Sequence, residues 1–169
     1  MKTRFLISII ALFALSFVAC NDDDNYTPEN SVVAEFERLY PNATSVDWER
    51  KGNYFEAEFY LGREEKDAWF DASAHWLMTK TDLHVFTNLP AAVKTAFETG
   101  DYKTYYADDA ESLERADLDV MLYIVDAEQG RNDFDLVYTE DGTFLEAIPD
   151  SENNDVAYIQ ALLAITVPE

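Results

Sequence analysis

The chain has 169 residues, with 34 aspartates and glutamates against 12 lysines and arginines, for a net charge of −22. So negative a surface repels nucleic acid and anionic lipid headgroups, which leaves neutral, cationic or metal-bearing partners. With 48% hydrophobic and 14% aromatic residues it still carries enough apolar material to fold rather than stay disordered.

Met1-Lys2-Thr3-Arg4 is a short basic start, followed by fourteen uncharged residues from Phe5 to Val18. That apolar core falls short of the roughly 20 residues that a membrane span needs and fits a cleaved secretory signal, residues 1–19. Phe17-Val18-Ala19-Cys20 resembles the lipobox of bacterial lipoproteins, in which the cysteine becomes the lipidated first residue. Cys20 is the sole cysteine, so it closes no internal disulfide, and lipidation gives it a role outside the fold. Residues 20–30 then read as the lipidated cysteine and an acidic tether carrying Asp22, Asp23 and Asp24. An acidic run behind such a cysteine resembles the surface-export signal of some Gram-negative lipoproteins. The expected location is the outer membrane, surface-exposed or periplasm-facing, with membrane contact through Cys20.

Thr27-Pro28 is expected to open the first helix, threonine as cap and proline at the first helical position. Val32, Val33, Phe36, Leu39 and Tyr40 recur at three and four residues on one face, and Pro41 stops the helix. From Val46 to Leu77 the period changes to two. Phe55, Ala57, Phe59 and Leu61 alternate with Tyr54, Glu56, Glu58 and Tyr60, which places the two sets on opposite faces of a strand. Asp67-Ala68-Trp69-Phe70-Asp71 and His75-Trp76-Leu77 continue an antiparallel meander, with turns at Lys51-Gly52-Asn53, Gly62 to Lys66 and Ala72-Ser73-Ala74.

At Asn88-Leu89-Pro90 a helix pattern restarts, with Leu89, Val93, Ala96 and Phe97 on one face and Gly100 as terminator. Aligning Phe36 with Phe97, Phe55-x-Ala57-x-Phe59 with Val120-x-Leu122-x-Ile124, and Asp67-x-Trp69 with Asp135-x-Val137 reads as a second copy of the first unit, with insertions in turns. Asp155 caps a last helix with Val156, Ile159 and Leu163 on one face, suited to covering a sheet surface or edge. The expected fold class is α+β: two tandem units, residues 31–86 and 87–150, each a helix packed on an antiparallel meander of about four strands. A C-terminal helix over residues 151–169 completes it.

Catalytic chemistry finds little support. His75 and His84 are the only histidines, Ser45 and Ser73 lack a nucleophile-elbow pattern, and a set such as Ser73, His84 and Asp82 has no motif behind it. Glu56 with Glu58, or Asp67 with Asp71, has the even spacing that shares a strand face, but carboxylates are too abundant for a glycosidase-like pair to carry weight. Asp126 to Asp133 alternates oxygen ligands yet lacks the glycine and closing glutamate of an EF-hand loop, so it reads as an acidic hairpin, and Asp108, Asp109 and Glu111 fix no cation geometry. The expectation is therefore no catalytic residue, no metal and no cofactor.

The helix followed by strands carrying Val46-Asp47-Trp48, Tyr54-Phe55-Glu56-Ala57-Glu58-Phe59 and Asp67-Ala68-Trp69-Phe70-Asp71 resembles the PepSY-like family related to β-lactamase inhibitor proteins, and Leu89-Pro90-Ala91-Ala92-Val93 is similar to its usual helix opening. The resemblance implies a non-catalytic exported domain, often lipid-anchored, with inhibitor-like or protein-binding roles. The second stretch departs from the pattern where Leu113 stands in place of tryptophan.

If Phe55, Ala57 and Phe59 face the helix, Tyr54, Glu56, Glu58 and Tyr60 face away. The alignment above puts Met121, Tyr123 and Val125 on that same outward side. An aromatic surface rimmed by carboxylates has the composition of a protein-binding face or of a stacking platform for sugars. The expected function is a lipid-anchored cell-envelope module that captures an exported protein, inhibitor-like toward a hydrolase, through Tyr54, Glu56, Glu58, Tyr60, Met121 and Tyr123. The alternatives are glycan binding through the same aromatics and, third, a hydrolase using a carboxylate pair.

Overall fold

The structure, a computed structural model, describes residues 26–149 and 155–168. The signal segment, Cys20 and the aspartates of the tether lie outside the described residues.

The elements follow in the order α1 (Asn30–Leu39), β1 (Ala43–Lys51), β2 (Tyr54–Leu61), β3 (Glu64–Asp71), β4 (Trp76–Asp82), a single 3-10 turn (Phe86–Asn88), α2 (Ala91–Thr99), β5 (Tyr106–Arg115), β6 (Leu122–Gln129), β7 (Asn132–Thr139), β8 (Phe144–Pro149) and α3 (Asp155–Ala164). All eight strands belong to one sheet in sequence order, each antiparallel to its neighbours. This corrects the expected two tandem units. β4 pairs with β5 from Met78↔Arg115 to Asp82↔Glu111, and Leu77 O and Ala110 O accept the N–H groups of Ala116 and Leu83 beyond the ladder. Separate four-stranded meanders would leave β4 and β5 as open edges with unpaired backbone groups. Joining them satisfies both.

Helix boundaries follow local chemistry with one shift. α1 starts at Asn30, two residues later than Thr27-Pro28 allows, behind Glu29, which makes no side-chain cap bond. It ends before Tyr40 and Pro41, whose ring would clash with a further turn. Pro90 and Gly100 flank α2 as expected. Gly52, at φ +64°, makes the β1–β2 turn, and β2 runs into β3 through Gly62-Arg63 alone, tighter than the expected loop.

Directly paired residues share a side of an antiparallel sheet, so the register sorts every strand residue to one of two faces. The near face carries α1 and α2. Val32 and Phe36 of α1 pack on Phe55, Ala57, Phe59, Ala68 and Phe70, with the Phe36 ring edge-on to Phe59 at 4.9 Å between centroids. Val93 and Phe97 of α2 pack on Ala110, Val125, Ala127, Leu136 and Tyr138. The far face carries α3: Ile159 and Leu162 lie on Met78, Leu113, Leu122, Ile124, Val137 and Ile148. The outer edge, β1, is blunted by a bulge between Thr44 and Asp47, where Ser45 sits at φ 54°.

Candidate functional site

The far face divides at β4. Leu113, Leu122, Ile124 and Val137 lie under α3, whereas β2 and β3 present Tyr54, Glu56, Glu58, Tyr60, Asp67 and Trp69 on the same side of the sheet. Where α3 begins, over the β1–β2 turn and against Trp69, a cleft of about 320 Å³ remains. Glu56, Asp109, Glu111, Asp126, Asp135 and Asp155 line it, with Lys51, Lys80, Trp69, Tyr158 and Ile159.

The two lysines are already engaged. Lys51 Nζ bridges Glu49, Glu56 Oε2 at 3.5 Å and Asp155 Oδ2 at 3.1 Å, tying the end of β1 to the start of α3. Burial works against its charge, but the hydrogen bonds to Glu49 and Asp155 outweigh burial and raise its pKa. Lys80 Nζ donates to Glu111 Oε1 at 2.8 Å and stands 5.6 Å from the ring centroids of both Trp69 and Tyr158. Burial opposes its charge as well, and Glu111, Asp67 and Asp135 overcome it.

Carboxylates outnumber these cations, and burial raises the pKa of several of them. Burial, with Asp67 and Glu58 nearby, pushes Glu56 up to about 7 despite Lys51. Burial also raises Asp67 to about 6, helped by Glu111, Glu58 and Glu65 against the pull of Lys80. Burial, with the carboxylates of Asp133, Asp135 and Asp108 nearby, raises Asp126 to about 7. Glu56, Glu58 and Asp67 bring carboxylate oxygens within 4.8 Å of one another. Trp69, only 3% exposed, has an indole Nε1 with no hydrogen-bond partner among the described residues.

Of the six residues singled out from sequence, four share the far face. Glu56 is buried at 8% exposure, Glu58 is exposed, and Tyr60 is exposed with its hydroxyl donating to Glu65 Oε2 at 2.6 Å. Tyr54 is half-buried against the cluster under α3. Met121 and Tyr123 do not join them. Tyr123 packs with the α2 cluster and Val125 is buried in it, both on the near face, while Met121 precedes β6 and lines a groove with Val167 and Pro168. The outward placement of Tyr123 and Val125 is thus corrected: Leu122 and Ile124 face α3, and Tyr123 and Val125 face α2, while Met121 is exposed just before the strand.

Sequence reasoning missed Lys80, Asp135, Asp155 and Tyr158 as neighbours of Glu56, because the cleft draws on β1 to β7 and α3 together. Asp126 and Asp133, weighed as a cation loop, are diagonal neighbours in the β6–β7 hairpin, where Asp126 pairs with Asp135 and Asp133 with Glu128, and the turn carries Gly130 at φ +72°. Ser73 donates its backbone N–H to Asp71 Oδ1 at 2.7 Å in the β3–β4 turn, and His84 pairs with Asp82 beyond the opposite end of β4. The whole of β4 separates Ser73 from that pair.

The family model described as putative beta-lactamase-inhibitor-like, PepSY-like matches residues 53–146. A BLIP-like protein from Bacteroides fragilis is 37% identical, with 78% of this chain and 92% of that one covered and a TM-score of 0.69. A DUF2874 family protein from Bacteroides ovatus is 27% identical, covering 83% of this chain and 100% of that one, with a TM-score of 0.74. A protein of Bacteroides eggerthii described as a putative periplasmic protein shares the fold at 19% identity, a TM-score of 0.69, and 79% and 96% coverage. No curated protein matches the chain.

Proposed function

The chain belongs to the PepSY-like, putative beta-lactamase-inhibitor-like family, and from that premise we propose that it is a non-catalytic, lipid-anchored module of the cell envelope that captures a protein through the uncovered far face of its sheet. The observation that carries this is the surplus of carboxylate over cation on that face, where Glu49, Glu56, Glu58 and Asp67 stand against Lys51 and Lys80, and burial together with this crowding holds Glu56 and Asp67 short of full ionisation at neutral pH. A basic protein surface laid over Glu49, Glu58, Asp67 and Tyr60 supplies the missing positive charge. Such complementarity acts chiefly on the association rate and the choice of partner.

An inhibitor-like role adds that the captured partner is an exported hydrolase. The anchor rests on Phe17-Val18-Ala19-Cys20 and the location on the acidic tether behind it. Palmitate labelling of cells that express the wild type and Cys20→Ala tests the anchor, with label expected only in the wild type.

For the binding face, the full chain in detergent is immobilised and exposed to envelope extract at low and high salt, beside a Glu49→Lys, Glu58→Lys variant. Specific retention of basic proteins that falls with salt and disappears in the variant supports the face. Equal profiles for both proteins sink it. Assaying the retained fraction for hydrolase activity, with and without added chain, tests the inhibitor-like part.

A further inference from the structure

We infer that the cleft between the far face and the first turns of α3 binds a hydroxyl-rich ligand, a single sugar unit, with Trp69 donating to one ring hydroxyl and the carboxylates of Glu56 and Asp109 accepting from others. This goes beyond the capture of a protein, because the cleft lies under α3 rather than on the open part of the face.

The argument starts from the indole. Trp69 is 3% exposed, lines the cleft, and its Nε1–H finds no acceptor among the described residues. A buried donor left without a partner is costly, and an indole N–H can only donate. Its complement is an acceptor. An anionic acceptor is disfavoured by six carboxylates, Glu56, Asp109, Glu111, Asp126, Asp135 and Asp155, set against Lys51 and Lys80. A bare cation answers the carboxylates but offers the indole nothing. A hydroxyl does both, since its oxygen accepts from Nε1–H while its hydrogen goes to a carboxylate.

Several hydroxyls on one small ring then suit the rest of the lining. The volume, about 320 Å³, lies at the small end of the range for ligand sites. Lys51 stands at the rim on Asp155 and Glu56, and Tyr158 and Ile159 give an apolar wall. Asp126, whose Oδ1 is also buried without a hydrogen-bond partner among the described residues, adds an acceptor to the same lining.

The test uses the full chain in a detergent without a sugar headgroup, titrated calorimetrically with glucose, galactose, mannose and N-acetylglucosamine, and in parallel with arginine and calcium chloride. Saturable binding of at least one sugar is expected, with Kd of about 1 mM or tighter. Trp69→Phe, which keeps the ring and removes the donor, weakens it about tenfold or more, a loss on the scale of one hydrogen bond left unmade. Should that variant unfold on heating far below the wild type, Glu56→Gln and Asp109→Asn serve instead, each weakening binding several-fold. No saturable sugar binding, or binding that these variants leave unchanged, overturns the proposal. So does saturation by arginine or calcium alone, which assigns the cleft to a cation. None of these outcomes touches the capture of a protein, which is read through Glu49 and Glu58.

Discussion

On the far face of the sheet, β5 to β7 present Leu113, Leu122, Ile124 and Val137 under a ten-residue helix, whereas β2 and β3 present Glu56, Glu58, Asp67 and Tyr60 with no helix over most of them. The backbone ladder is the same in both regions, and α1 and α2 cover the near face of each. Only the side chains on alternate residues differ. Where they are aliphatic, the face is buried and holds the protein together. Where they are acidic, no helix covers most of the face, and burial together with crowding lets Glu56 and Asp67 keep protons that they would shed in water.

The contrast is broken most severely by removing what fastens α3. Arg115, at the end of β5 and 3% exposed, donates to the carbonyls of Leu162, Leu163 and Ile165 at 2.8 Å each and pairs with Asp117 at 2.6 Å. It thereby answers carbonyls at the C-terminal end of α3, which an α-helix leaves without internal donors. Arg115→Ala is expected to cost about 3–5 kcal/mol in urea unfolding, because three carbonyls, two of them buried, lose their donor together. Leu162→Ala, which hollows the fully buried layer under the same helix, is expected to cost about 3 kcal/mol.

The acidic half responds in the opposite direction. Glu56, Asp67 and Asp126 have folded pKa values raised to about 7, 6 and 7. The native state therefore holds more protons than the unfolded chain between pH 4 and 7, and stability falls as pH rises through that window. Below it, Asp71, whose pKa is lowered by its bonds to the His75 and Ser73 backbone and the His75 ring despite partial burial, loses its contribution as it protonates. The heat-unfolding midpoint is thus expected to be highest near pH 4, about 5 °C above that at pH 7.5. Glu56→Gln sharpens the point. It is expected to stabilise the fold by about 1–3 kcal/mol at pH 7.5 and by nothing measurable at pH 4, which a pair of melts at the two pH values will read. At the exposed end of the same strand, Tyr60→Phe removes only the bond to Glu65 and should change stability by less than about 0.5 kcal/mol.

Much of this was written plainly in the residues, and the failures have a physical cause. Phe55, Ala57 and Phe59 alternate cleanly with charged neighbours because only one side of β2 is fully buried, so the faces of Tyr54, Glu56, Glu58 and Tyr60 were legible. β6 is roofed by α2 on one side and α3 on the other, and Val120-Met121-Leu122-Tyr123-Ile124-Val125 is accordingly apolar at both parities. A strand buried on both faces carries no phase, and a one-residue slip reverses every side chain. That slip put Tyr123 and Val125 on the wrong side. The junction of β4 with β5 was hidden for another reason: it is made by backbone hydrogen bonds, which any side chains permit. The cleft was hidden because its lining converges from distant parts of the sequence.

The Arg115 contacts also bear on the order in which the molecule assembles. Every strand zips onto the one just made, a route of short loop closures that folds quickly, but the guanidinium must wait for carbonyls 47 to 50 residues further along. Until that late docking, Leu122, Ile124 and Val137 form a bare greasy strip on a nearly finished sheet. A nascent chain in this condition is prone to self-association, so a refolding yield that drops with protein concentration, and recovers when α3 is supplied as a separate peptide, is the kinetic signature of this architecture.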